Sequence, residues 1–287
     1  MAEGLLKGDE TVVKTLVKED TRTLYLDLMK HCLTNFIYGD AEVFPLALRK
    51  TGMMRRVGRF FRALGLEVGK PQPFNPEARR LGGDFPPTAH TMIGLERLEN
   101  LEFCVKDVLE KGVPGDFIET GVWRGGASIF VRAILKAYQV TDRGVWVADS
   151  FEGLPVPNAE KYPADAKRKY WKRTRLAISL EEVRSHFESY GLLDDQVRFL
   201  KGWFKDTLPT APIEKLAVIR LDGDMYESTM DGLNNLYSKL SRGGYLIVDD
   251  FGAVTGCKKA VEDFRAEHGI TDEIHQIDWA GSYWQRS

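Results

Sequence analysis

Two short acidic stretches close two apolar runs. Asp222-Gly-Asp224 follows Leu216–Leu221, and Asp249-Asp250 follows Tyr245–Val248. If the runs are adjacent parallel strands, their carboxyl-terminal tips lie side by side. Three or four carboxylates converging there repel one another unless a cation sits between them. An all-oxygen donor set, without histidine or thiolate, selects Mg²⁺ or a similar hard ion over zinc. Asp222, Asp249 and Asp250 are therefore read as metal ligands, with water and substrate hydroxyls completing the shell. Asp224, two residues past Asp222, lies in the loop and can face an acceptor. A cation acidifies a hydroxyl beside it, and a neighbouring carboxylate can then take its proton. The competing reading makes Asp224 the cap of a helix beginning near Glu227. Capping explains one aspartate well and four poorly.

A second constellation lies upstream, in GDFIETGVWRGGAS (115–128). Gly121, Gly125 and Gly126 sit where a strand must turn tightly into a helix and where backbone must pass close to a ligand. The spacing is E-x-G-x-x-x-G and not the G-x-G-x-x-G that cradles a pyrophosphate. Glu119 repels phosphate but can accept a hydrogen bond from an ammonium group. The next strand ends in Asp149, placed to hold two ribose hydroxyls. An amino-acid head beside the turn and a ribose at Asp149 describe S-adenosylmethionine better than NAD. Trp203, in Gly202-Trp203-Phe204 after the third strand, can lie against an adenine face.

The elements that must position these residues follow from periodicity. Strands are expected at Asp116–Glu119, Val145–Asp149, Val197–Leu200, Leu216–Leu221 and Tyr245–Val248. Helices are expected at Met92–Lys111, Gly126–Tyr138, Leu180–Tyr190, Tyr226–Leu240 and Cys257–His268. A long polar excursion runs from Phe151 to about Ser179. Strands separated by helices imply βαβ crossovers and a parallel sheet. The last two strands, near Glu273–Asp278 and Gly281–Arg286, are separated only by Trp279-Ala280 and must be antiparallel. Five parallel strands closed by an antiparallel pair define an α/β fold of the Rossmann-like, class I methyltransferase kind. Ahead of it, Asp20–Asp40 repeats apolar residues at helical spacing (Leu24, Leu28, Met29 or Cys32, Phe36). A second helix at Gly52–Gly65 aligns Met53, Met54, Val57, Phe60, Phe61 and Leu64 against a face of four arginines. Its apolar face is expected to be covered by its own domain or a dimer mate. Val68–Pro87 holds five of the twelve prolines and reads as a connector. The chain thus divides into a helical extension (1–87) and a methyltransferase domain (88–287).

Composition narrows the class. Among 287 residues, 40 Lys and Arg face 42 Asp and Glu, a formal charge of −2 that opposes a protein built to neutralise duplex phosphates. KRKYWKRTR (167–175) interleaves cations with Tyr170 and Trp171 and raises the alternative of a nucleic-acid-binding protein. A solvated active-site lid is the simpler account. Three separated cysteines make neither a disulfide framework nor a zinc site, and the first twenty residues lack a signal-peptide pattern. A cytoplasmic protein with no spanning helix is expected. No histidine pair has metal spacing; His90 alone is a candidate pocket residue.

The segments FIETGVWRGGAS, VADSFEGLP, GWFKDTLP, RLDGDMYESTMDGL and LIVDDFG, in that order, resemble the macrocin O-methyltransferase family. The resemblance spans about Thr88 to the C-terminus. It implies an S-adenosylmethionine- and metal-dependent enzyme acting on deoxysugars of macrolide and aminocoumarin antibiotics. It implies Asp222, Asp249 and Asp250 as Mg²⁺ ligands and Asp224 as general base. It also implies that Thr91, Met92, Glu119, Gly121, Ser128, Asp149 with Ser150, Gly202, Trp203 and Asp222 hold the cofactor. A homodimer or larger assembly is implied, as is a pocket covered by the N-terminal helices and the loop after Asp149. Polyketide or peptide assembly-line intermediates are alternative acceptors. So are catechol-type phenols, although such enzymes commonly place lysine where Asp224 stands.

Overall fold

The structure, a computed structural model, describes residues 20–39, 42–48, 52–166 and 169–287. The first nineteen residues, and Lys167 and Arg168 of the basic segment, lie outside them. In chain order the elements begin with α1 (Thr21–Leu33), β1 (Glu42–Pro45), α2 (Met53–Ala63), β2 (Gly69–Gln72), α3 (Pro76–Arg80) and α4 (Leu95–Glu110). Then come β3 (Asp116–Thr120), α5 (Gly126–Ala137), β4 (Val145–Asp149), α6 (Leu180–Ser189) and β5 (Val197–Lys201). The chain closes with α7 (Phe204–Thr207), β6 (Leu216–Leu221), α8 (Tyr226–Leu236), β7 (Leu240–Val248), α9 (Thr255–Glu267), β8 (His275–Gln276) and β9 (Ser282–Gln285).

β3 to β9 form one sheet in the order β5-β4-β3-β6-β7-β9-β8. The first five strands are parallel, and β9 pairs antiparallel with both β7 and β8. This is the expected sheet. One face is covered by α1, α4, α5 and α6, whose Leu98, Leu101, Val105, Ile129, Phe130, Ile134 and Phe187 form one core. The other is covered by α8 and α9, with Leu233, Leu236, Val261, Phe264 and Trp284 in a second. The chain leaves β3 in one direction, to β4 and β5, and returns on the other side as β6. The crevice for a ligand opens at that reversal, above the carboxyl ends of the strands.

Several sequence expectations are corrected. The Val68–Pro87 connector contains β2, which pairs with β1, and α3, where Asn75 caps the helix and Pro76 fills its first turn. Proline density marked a break, yet proline is tolerated in a two-stranded edge and at a helix start. The buried stripe of α1 is Leu26, Met29 and Leu33; Leu24 and Leu28 are half exposed, because α1 lies on α5 and α4 through its other face. On α2 the buried residue is Gly58, packed against Leu46 and Ala47, while Met53 and Phe60 stay exposed. The described chain itself therefore leaves much of that apolar face uncovered. α8 stops at Leu236, and residues from Leu240 already belong to β7. β8 has only two rungs with β9, and the turn between them is five residues, folded around Asp278, whose Oδ1 accepts the N–H groups of Ala280 and Gly281. No helix among the described residues is long and apolar enough to cross a membrane.

Candidate active site

The strand ladder continues one residue beyond the strands and thereby aligns the site. Gly121 donates to Ala148, Asp222 to Thr120, Asp249 to Leu221 and Gly202 to Asp149, all between 2.8 and 2.9 Å. Gly121 is required here: its φ is +86°, and an added Cβ would stand 1.8 Å from the carbonyl oxygen of Asp222. Three non-glycine residues at the strand tips, Trp123, Phe151 and Asp224, also hold left-handed backbone, with φ of 48°, 58° and 59°. Strain of this kind persists where surrounding contacts enforce it, commonly at working sites.

Above the tips lies a cavity of about 380 Å³. Of the residues singled out in the sequence, Met92, Gly121, Asp149, Ser150, Gly202, Trp203, Asp222 and Asp224 line it. The excursion after β4 contributes Gly153, Leu154, Pro155, Val156, Asn158 and Leu176. No described residue before Met92 lines it. Asp149 is held by two backbone donors, Val122 N–H to Oδ2 and Phe151 N–H to Oδ1, both 2.8 Å. Burial pushes its pKa up, and those donors offset part of the rise. Ser150 ties the following turn by donating to Gly153 O and accepting from Glu152 N–H.

Thr91, Glu119 and Ser128 do not line the cavity. Thr91 is buried where the backbone before α4 crosses the first turn of α5; Gly126 donates to His90 O and leaves no room there for a Cβ. Glu119 is buried, accepting from Ser128 Oγ and from Arg220 Nη1, the latter at 2.6 Å. Burial raises its pKa, opposed by Arg220 and Ser128.

Carboxylate oxygens of Asp222, Asp249 and Asp250 can be chosen that all lie within 4.8 Å of one another. The sequence reading supplied no counter-charge beyond an ion. The structure supplies two guanidinium groups. Arg220 Nη2 donates to Asp249 Oδ1 at 2.5 Å and Nη1 to Asp222 Oδ2 at 2.9 Å. Arg97, from α4, donates to Asp249 Oδ2 at 2.6 Å and to Asp278 at 2.9 Å. Burial pushes Asp249 up, but the two arginines outweigh it and hold its carboxyl below the usual range. Asp222 and Asp250 go the other way. Burial first, and the neighbouring carboxylates second, drive both well above it. Asp250 Oδ2 is buried with no hydrogen-bond partner. That orphaned oxygen and the residual negative charge fit a hard divalent cation, which would be held by Asp222, Asp249 and Asp250.

The amino terminus of α8 is capped from the excursion: buried Asp165 accepts from Tyr226 N–H at 2.9 Å and Glu227 N–H at 3.1 Å. Arg97, Trp123, Asp165, Arg220 and Asp278 were missed in the sequence. Only Arg220 left a signal there, as a lone charge inside the apolar run LAVIRL. In the basic segment, Lys172 and Arg173 stack on Trp171 and Tyr170 at 4.8 and 4.6 Å, so those rings are engaged by their own neighbours.

A seven-stranded sheet with this strand order and a cavity at its topological reversal define a class I methyltransferase. The model of the macrocin-O-methyltransferase (TylF) family matches residues 22–286, and the chain belongs to that family. It is 52% identical over 270 residues, 94% of this chain and 95% of the relative, to an 8-demethyl-8-(2,3-dimethoxy-alpha-L-rhamnosyl)-tetracenomycin-C 4'-O-methyltransferase of Streptomyces olivaceus. It is 51% identical to the mycinamicin III 3''-O-methyltransferase of Micromonospora griseorubida, covering 92% of this chain and 96% of the relative. Among solved structures, the O-methyltransferase NovP superposes with a TM-score of 0.81 at 49% identity, covering 93% of this chain and 99% of that one. The chain is an O-methyltransferase.

Proposed function

We propose that this chain transfers a methyl group from S-adenosylmethionine to a sugar hydroxyl of a glycosylated natural product, with Mg²⁺ as the required cation. The observation that carries the reading is the placement of Asp224 and Asp222 on the wall of the same cavity as Asp149, with Asp222 clustered with Asp250, whose Oδ2 has no hydrogen-bond partner. In this reading Asp149 holds the donor's ribose, Trp203 meets the adenine, and Met92 and the Gly121 turn shape the methionine end. Glu119 and Ser128 stand beneath that turn. A divalent cation at the three aspartates would acidify the acceptor hydroxyl.

Asp224 then takes the hydroxyl proton as the oxygen–carbon bond forms and the carbon–sulfur bond breaks, so the donor leaves as a neutral thioether. In this reading the Asp224 carboxylate, which lines the cavity from a residue with left-handed backbone, serves the acceptor side. Gly153, Leu154, Pro155, Val156, Asn158 and Leu176 wall the cavity, and holding the two reactants in line there favours transfer. A sugar is preferred over a catechol-type phenol because a carboxylate, not a lysine, occupies position 224, and because the name of the Streptomyces olivaceus relative specifies a rhamnosyl compound. We also assign the protein to the cytoplasm and to a homodimer or larger assembly, with residues 1–87 as its extension.

The test is transfer from labelled S-adenosylmethionine to rhamnosylated or related deoxysugar-bearing acceptors, with and without EDTA. The expected result is a mono-methylated sugar, abolished by EDTA and restored by Mg²⁺. Full transfer after exhaustive chelation would remove the metal from the mechanism.

A further inference from the structure

Arg220 stands between the two halves of the site. It is 3% exposed, on β6, in register with Glu119 on β3, so both side chains leave the sheet on one face. Through one planar fork it reaches Glu119 and Asp222 from Nη1 and Asp249 from Nη2. Glu119 in turn accepts from Ser128, in the first turn of α5 behind the glycine loop. One guanidinium therefore fixes the carboxylate beneath the donor's turn and two of the three carboxylates that face the cation. Lysine, a compact charge on a flexible stem, cannot reproduce this planar geometry. Arg97 makes a natural contrast. It is comparably buried and also bonds Asp249, but its other carboxylate partner is Asp278 and not Glu119.

We propose that Arg220 is a positioning residue for both halves at once: it sets Glu119 for the donor's ammonium group and aims Asp222 and Asp249 at the cation. Donor binding and metal binding then depend on one side chain that touches neither ligand. This rests on the reading given under Proposed function.

Calorimetry separates the two. S-adenosylhomocysteine is titrated into metal-free protein, and Mg²⁺ into donor-free protein, with folding checked by thermal unfolding. Arg220→Lys is expected to weaken both affinities by about 10- to 100-fold, the worth of a charged hydrogen bond in a buried site. Arg97→Lys is expected to weaken Mg²⁺ binding alone. Should Arg220→Lys fail to fold, Glu119→Gln tests the link from its other end. That change leaves the guanidinium charge to the two aspartates and is expected to lower Mg²⁺ affinity, although Glu119 is no metal ligand. A folded Arg220→Lys chain that loses only one affinity, or neither, overturns the proposal, as does Mg²⁺ binding unchanged in Glu119→Gln. A wild-type chain that binds neither S-adenosylhomocysteine nor Mg²⁺ overturns the functional reading and the proposal with it.

Discussion

Asp165 and Tyr226 lie 61 residues apart, yet the Asp165 carboxylate caps the helix that Tyr226 begins, with Oδ1 2.9 Å from its backbone nitrogen. The same carboxylate fixes Glu227 N–H, so the excursion over the cavity is tied to the helix that follows Asp224.

Asp165→Ala leaves two helix-terminal N–H groups without their acceptor. Loss of about 1–3 kcal/mol of stability is expected in denaturant unfolding. Turnover should fall while S-adenosylhomocysteine affinity holds, since Asp149 and the glycine turn are untouched. Unchanged stability would show that the cap is dispensable.

Asp149→Ala should weaken S-adenosylhomocysteine binding by about 1–3 kcal/mol, through lost hydrogen bonds to ribose in a buried site. It should leave Mg²⁺ affinity as it was. Calorimetry on a folded variant with intact donor affinity would remove the ribose assignment.

Asp250→Asn keeps the shape of a side chain whose Oδ2 has no protein partner. The variant should need more Mg²⁺ for half-maximal rate, with part of the rate rescued at high Mg²⁺. A rate indifferent to Mg²⁺ concentration would exclude Asp250 as a ligand.

Asp224→Asn should cut kcat by about 10²- to 10⁴-fold, the usual worth of a general base, with metal and donor affinities nearly unchanged. Full recovery at high Mg²⁺ would instead make Asp224 a fourth ligand.

His90 stacks on His186 with ring centroids 4.4 Å apart and sits 2.8 Å from Tyr190 Oη. Burial, then His186 and Arg124, lower its pKa from 6.5 to about 4. The unfolded chain protonates this histidine below about pH 6.5 and the folded chain only near pH 4. Its contribution to stability is therefore lost as pH falls through that window. Denaturation at about pH 7 and about pH 5 should show a smaller acid-induced loss in His90→Gln than in wild type. Equal losses would assign the effect to other groups.

The strands, their order of type and eight of the cavity-lining residues were legible in the chain. Apolar runs of strand length, helical spacing between them and acidic or glycine residues at their ends are local patterns, and local patterns survive in one dimension. The aspartates at 149, 222, 249 and 250 were readable for that reason: each closes a run that can only be a strand. Tertiary structure decided what those carboxylates touch. Arg97 reaches Asp249 across 152 residues and Arg220 reaches Glu119 across 101, and no spacing rule connects such positions. The face by which α1 joins the core was equally undetermined, because two apolar stripes on one helix satisfy the same period and only contact with α5 selects between them. Glu119 looked like a ligand-facing acid from its place before the turn. Its register beside Arg220 gives it a partner the sequence did not show, because paired residues on adjacent parallel strands share a face and a buried carboxylate is held by the nearest guanidinium.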